Sequence, residues 1–151
     1  MRIGVVDPQK VLNDTDAGKK ARESLNTFMK NRQALVEMEE RELKRMEEDL
    51  VKQGSVLSSN AKREREEQFR QRAMQFQQKV QELNREVQEK QKEVLESFRA
   101  KVEKVSARMA QQMGMQVVIE KGRGGPTIYS DPTLDISDKV IEEFNKGGAD
   151  R

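Results

Sequence analysis

The spacing of apolar and polar residues changes several times along this 151-residue chain, and each change marks an element. Ile3-Gly4-Val5-Val6 is a short apolar run, read as a buried strand over Arg2 to Val6 that stops at the turn-forming pair Asp7-Pro8. Gln9 to Leu12 is either a short helical turn or an extended link. Asn13-Asp14-Thr15-Asp16 then supplies side chains that cap a helix start, with acidic charge at the favourable end of the helix dipole. The spacing predicts a first long helix from about Thr15 to Lys52 and a second from about Asn60 to Met113. The short polar joint Gly54-Ser55-Val56-Leu57-Ser58-Ser59 separates them.

The two helices are patterned differently. In the first, Met29, Val36, Leu43, Leu50 and Leu57 form one row, but the companion row is Leu25, Arg32, Glu39, Met46 and Gln53. A dry two-stranded coiled coil needs both rows apolar, so this seam is an irregular antiparallel pairing or a surface left partly open for a partner. The second helix carries a heptad stripe, Phe69, Ala73, Phe76, Val80, Leu83 and Val87. From Val94 the stripe runs Val94, Phe98, Val102, Val105, Met109 and Met113, a longer period that unwinds a left-handed supercoil. Such a helix extends on the order of 80 Å and needs the first helix packed against it.

Gly114 ends the second helix. Gln116 to Glu120 reads as a second strand and Thr127 to Ser130 as a third, joined by a glycine-rich hairpin turn over Lys121 to Pro126. That turn lacks the glycine spacing and the Gly-Lys-Ser/Thr ending of a phosphate loop. Asp135 caps a short amphipathic helix from Ile136 to Asn145, with Ile136, Val140, Ile141 and Phe144 on one face. Gly147-Gly148 ends it, and the last residues should fray.

Composition decides between long helices and a compact globule. Charged residues make up 37%, hydrophobic ones 34% and aromatic ones 4%, with a mean hydropathy of −0.95. So little apolar surface fills no single core, and the abundance of Glu, Lys, Gln, Arg, Met and Leu favours helices that bury a narrow stripe. The fold class is therefore α+β, mostly α. A long antiparallel helical-hairpin arm (residues 15–113, tip near 53–60) leaves a small β oligomerisation body made of residues 1–14 and 114–151, which includes the C-terminal helix. Three short strands leave open edges, so association of several chains through Val5, Val6, Val118 and Ile119 is expected. Val105 and Met109 at the base of the second helix should join that body.

Charge and chemistry exclude more than they assign. With 29 basic and 27 acidic residues the net charge is +2, so no global field draws in nucleic acid. Cysteine and histidine are both absent, which removes thiol chemistry, thiolate zinc sites and imidazole acid–base catalysis. No nucleophile–base pair or metal constellation stands out, so neither an enzyme nor a cofactor is expected. No stretch is apolar enough for a transmembrane helix or the core of a signal peptide. Met1-Arg2 runs directly into the first strand, compatible with a processed exported chain or a cytosolic one.

Ile3-Gly4-Val5-Val6-Asp7, Gln9-Lys10-Val11-Leu12-Asn13 and Gly18-Lys19-Lys20-Ala21 together resemble the opening of the Skp (OmpH-like) periplasmic chaperone family. Val117-Val118-Ile119, the glycine turn, Tyr129 and Leu134-Asp135-Ile136-Ser137-Asp138-Lys139-Val140-Ile141 resemble its ending, in the same order and spacing. The resemblance covers the whole chain. It implies a homotrimer with a β-barrel body and three hairpin arms around a cavity. It implies an ATP-independent holdase for unfolded outer-membrane proteins in the periplasm, and a link to lipopolysaccharide or anionic lipid through basic arm residues.

On that reading Met29, Met38 and Met46, with Arg32, are the client-binding candidates, since methionine adapts to varied partners. Met29 and Met46 equally suit filling the hairpin seam. Arg63, Arg65, Arg70 and Arg72 near the tip are candidates for attracting acidic clients or anionic surfaces, or are simply solvated. The alternatives are a coiled-coil scaffold, which needs continuous apolar rows on both helices, and a binder of nucleic acid or anionic surfaces, which needs a denser basic stripe. A prefoldin-like chaperone would place its strands within the hairpin rather than outside it.

Overall fold

The computed structural model describes residues 1–151. The elements run β1 (Ile3–Val6), α1 (Pro8–Asp14), α2 (Asp16–Gln53), α3 (Ser59–Gln112), β2 (Val117–Glu120) and α4 (Ser137–Asn145), with short 3-10 turns at Pro132–Leu134 and Gly148–Asp150. They form two compact units, residues 1–25 with 91–151, and residues 26–90. The ends of both long helices, residues 15–25 and 91–112, thus pack with the strands. No helix is long and apolar enough to cross a membrane.

In the first unit β1 and β2 pair in parallel, Ile3 opposite Val117 through Val6 opposite Glu120. A bridge between Val5 and Asp135 and the bond from Ile136 N to Val5 O (2.8 Å) cover the other edge of β1. The outer edge of β2 has no neighbour in this two-stranded sheet. Val6, Val11, Phe98, Val102, Val105, Ile136, Val140 and Phe144 form the core. Phe98 and Phe144 meet with ring centroids 5.6 Å apart, within the range of favourable aromatic pairs.

Local chemistry explains the entry to the helices. Residues 8–14 are helical because Asp7 caps them: its Oδ1 accepts from Gln9 N and Lys10 N at 3.0 and 3.2 Å, and Pro8 takes the first helical position. The Thr15 hydroxyl donates to Val11 O (2.7 Å) and accepts from Gly18 N (3.0 Å), ending α1 and starting α2 on one side chain. Gly18 is required here. A Cβ on it would stand 1.9 Å from Leu12 O.

Two expectations are corrected. Residues 127–130 are not a strand, so the glycine turn is not the turn of a hairpin. Gly125 N closes that turn on Gly122 O at 3.0 Å, and beyond Pro126 the Thr127 hydroxyl donates to Glu120 O (2.8 Å). Ile128 and Tyr129 are then both exposed instead of alternating between faces. The C-terminal residues do not fray either. Gly148 is buried, its carbonyl accepts from Arg108 Nη2, and Arg108 also lies 3.8 Å from Glu143.

In the second unit α2 and α3 run antiparallel on either side of a tight joint. Val56 N and Leu57 N donate to Gln53 O, and Ser58 Oγ accepts from Ala61 N at 3.2 Å to start α3. The seam is only half-buried along most of its length, and Leu83 is its one fully buried apolar residue.

Candidate functional site

The polar row of α2 is where the hairpin departs from an open surface. Arg32 Nε lies 2.7 Å from Glu86 Oε2 on α3, and its guanidinium sits 4.2 Å from the centroid of the Phe28 ring. Glu39, with a side chain only 15% exposed, receives Arg72 at 3.2 Å and Lys79 at 3.8 Å. Gln53 Oε1 accepts from Arg65 Nη1. Each polar residue of the mixed row is therefore matched by a side chain on the opposite helix, and the seam closes through charges where apolar residues are missing. Arg32, a client-binding candidate, is thus also engaged within the hairpin, with about a third of its side chain exposed.

Of the tip arginines, Arg72 is bound to Glu39, Arg65 to Gln53, and Arg70 lies 3.8 Å from Glu67. Arg63 is exposed. An acid on the opposite helix thus offsets Arg72, whereas Arg65 meets a neutral amide and Arg70 an acid of its own helix. The pattern that identifies these pairs is an antiparallel register: the numbers of Arg32 and Glu86, Glu39 and Lys79, and Gln53 and Arg65 share one total. Charge spacing along a single helix does not reveal it.

The methionines separate into two groups. Met46 is half-buried in the seam, whereas Met29 and Met38 are 43% and 49% exposed. Met74, which the sequence did not single out, is 62% exposed. Met29 lines a groove of about 280 Å³ with Arg32, Val36, Val80, Leu83 and Val87. This groove has room for an aliphatic or aromatic side chain.

The association candidates also divide. Val5, Val6 and Val105 are buried within the chain, and Met109 and Val118 pack against the same core. Ile119 and Val117 are exposed at 37% and 40%, with Ile128 and Tyr129 more so. A second groove of about 460 Å³ runs beside β2, lined by Val102, Ala110, Met115 and Val118. The Ser106 hydroxyl, buried and without a hydrogen-bond partner, also lines it. At its rim Arg99 holds Glu120 with two bonds of 3.0 and 2.5 Å, and this hydrogen bonding keeps the Glu120 carboxyl below its usual range against a smaller opposing effect of burial. Burial pushes the Asp135 carboxyl up, but hydrogen bonds from Ser137 and the Lys121 ammonium outweigh it, so the net direction is down. No group of three or more acidic, His or Cys side chains is placed to hold a metal ion.

Residues 2–144 match the family described as outer membrane protein (OmpH-like). The chain belongs to that family. A crystal structure from Caulobacter crescentus CB15, of a candidate outer membrane chaperone (OmpH-like), shares the fold with a TM-score of 0.87 at 16% identity, covering 96% of this chain and 84% of that one. No curated protein matches this sequence. An OmpH-like fold accounts for the parallel pairing of residues from the two ends of the chain and for the long hairpin between them.

Proposed function

We propose that this protein is an ATP-independent holdase chaperone, non-enzymatic, that binds unfolded outer-membrane proteins in the periplasm and prevents their aggregation. Membership of the OmpH-like family over residues 2–144 carries the reading. The hairpin adds physical support: the polar residues of its mixed row are internally matched, the half-exposed Met29 lines a shallow apolar groove, and Met38 and Met74 are exposed on the same unit. Unfolded barrel proteins expose alternating apolar side chains and unpaired strand edges and aggregate quickly. Weak contacts repeated over several hairpins retain such a chain and still release it.

The working unit is a homotrimer whose strands close on one another in a β-barrel body. The unpaired outer edge of β2, the exposed Val117, Ile119, Ile128 and Tyr129, and the unpaired Ser106 hydroxyl support association at this face. Exposed cations near the tip, Arg63 foremost, attract acidic clients, anionic lipid or lipopolysaccharide. In the deciding experiment an unfolded outer-membrane barrel protein is diluted from denaturant with and without the chain, in the absence of nucleotide. Suppressed aggregation is expected, and an unchanged aggregation rate would end the reading. Light scattering should give a mass of three chains; a single-chain mass would remove the trimer.

A further inference from the structure

Met29, Met38 and Met74 have a reactivity that they share only with the terminal Met1. The sequence contains no cysteine, histidine or tryptophan and only one tyrosine, so methionine sulfur is its most oxidisable group. Of its eight methionines, Met46, Met109, Met113 and Met115 are at least half-buried. Met109, Met113 and Met115 pack against the core, and a Cβ on Gly4 would stand 2.6 Å from Met115 Sδ. Met29, Met38 and Met74, by contrast, are 43%, 49% and 62% exposed, and all three lie in the hairpin unit. The terminal Met1 is the one other exposed methionine.

We propose that Met29, Met38 and Met74 are modification sites at which a two-electron oxidant such as hypochlorous acid switches the hairpin from retaining clients to releasing them; this rests on the holdase reading. In each reaction the thioether sulfur gains one oxygen atom and gives up two electrons, and hypochlorous acid leaves as chloride and a proton. The product sulfoxide is polar and accepts hydrogen bonds, so the apolar wall that Met29 adds beside Val36, Val80, Leu83 and Val87 is lost. Neither the core nor the charged pairs of the seam depend on these sulfurs. The hairpin therefore stays folded when they are oxidised, and reduction of the sulfoxide restores it.

The test combines peptide mapping, circular dichroism and client protection on the full chain after graded hypochlorous acid treatment. Oxygen should add to Met29, Met38 and Met74 well before Met109, Met113 and Met115, with the helical signal unchanged. Client dissociation should accelerate about fivefold over the same dose range, as adaptable apolar contacts are lost. In the combined variant Met29→Leu, Met38→Leu, Met74→Leu, the ratio of treated to untreated protection should be one, whatever its starting level. Oxidation first at the core methionines, or an equal loss in the leucine variant, would overturn the proposal. Full protection by the oxidised parent would do the same. If the untreated parent fails to protect at all, the holdase reading falls, and with it this proposal.

Discussion

Arg32 and Glu86 meet across the hairpin at 2.7 Å, with the Arg32 guanidinium also lying over Phe28 at 4.2 Å. The cation thus has two anchors, one electrostatic and one aromatic, at a seam position where a coiled coil would place leucine. About a third of each side chain of the pair stays exposed, so the charge contribution is modest. A double-mutant cycle between Arg32→Ala and Glu86→Ala should give a coupling of roughly 0.5–1 kcal/mol, measured by urea unfolding. Coupling indistinguishable from zero would mean that solvent screens the pair completely.

Glu39 should be costlier to alter than Arg32, because it is the less exposed group and holds two cations. Glu39→Lys places three positive charges together in the seam and should destabilise the hairpin by about 2–3 kcal/mol. Glu39→Leu restores an apolar seam residue but leaves Arg72 and Lys79 without the Glu39 carboxylate, so it should cost less than the lysine change, about 1 kcal/mol. Thermal melts of the two variants check this directly.

The sequence pattern marks Val105 and Ile119 alike as association residues, and their burial separates them. Val105 is fully buried in the chain's own core, so Val105→Asp should unfold the first unit outright, at a cost of at least ~3 kcal/mol. Ile119 is exposed on the open strand. Ile119→Asp should leave the helical signal unchanged and lower the mass seen by light scattering.

Gly18→Ala should be among the most damaging single-atom-scale changes, near 3 kcal/mol, because the added carbon meets a backbone carbonyl that cannot swing away. Calorimetry of the variant would reveal it. An unchanged melting temperature would mean that the turn between α1 and α2 opens without cost.

Acid should loosen the first unit. The Glu120 and Asp135 carboxyls are held below their unfolded values, so their contribution is present above the ordinary carboxylate range and is lost as pH falls through the folded values. Stability should be flat from neutral pH down to that range and fall below it. Arg99→Gln, which removes the main hold on Glu120, should shallow the acid-side slope measured by chemical unfolding.

The sequence made the long helices legible because their period, caps and joint are local signals. The pairing of α2 with α3 was half legible. Its apolar rows were visible, but Arg32, Glu39 and Gln53 looked like gaps until their partners on α3 were in place. Asp7-Pro8 looked like a plain turn, although the same pair is a helix cap followed by a first-turn proline. The third strand failed for a different reason. Thr127 to Ser130 has acceptable strand composition, but Thr127 ties its hydroxyl to Glu120 O and the residues after it leave the open edge of β2 unpaired. Which apolar residues serve the chain's own core and which stay outside was invisible in a run as uniform as Val117-Val118-Ile119.

The parallel ladder between β1 and β2 imposes an order on how the molecule is made. Arg2 bonds to Gln116 across a separation of 114 residues, so the strand that leaves the ribosome early has no partner until nearly the whole chain has followed. The α2–α3 hairpin forms through contacts that need only its own short joint and can be complete long before that. During this interval Ile3, Val5 and Val6 remain a short unpaired apolar segment. By its own topology, a newborn copy of this chain passes through a stage in which its first strand is open to other chains.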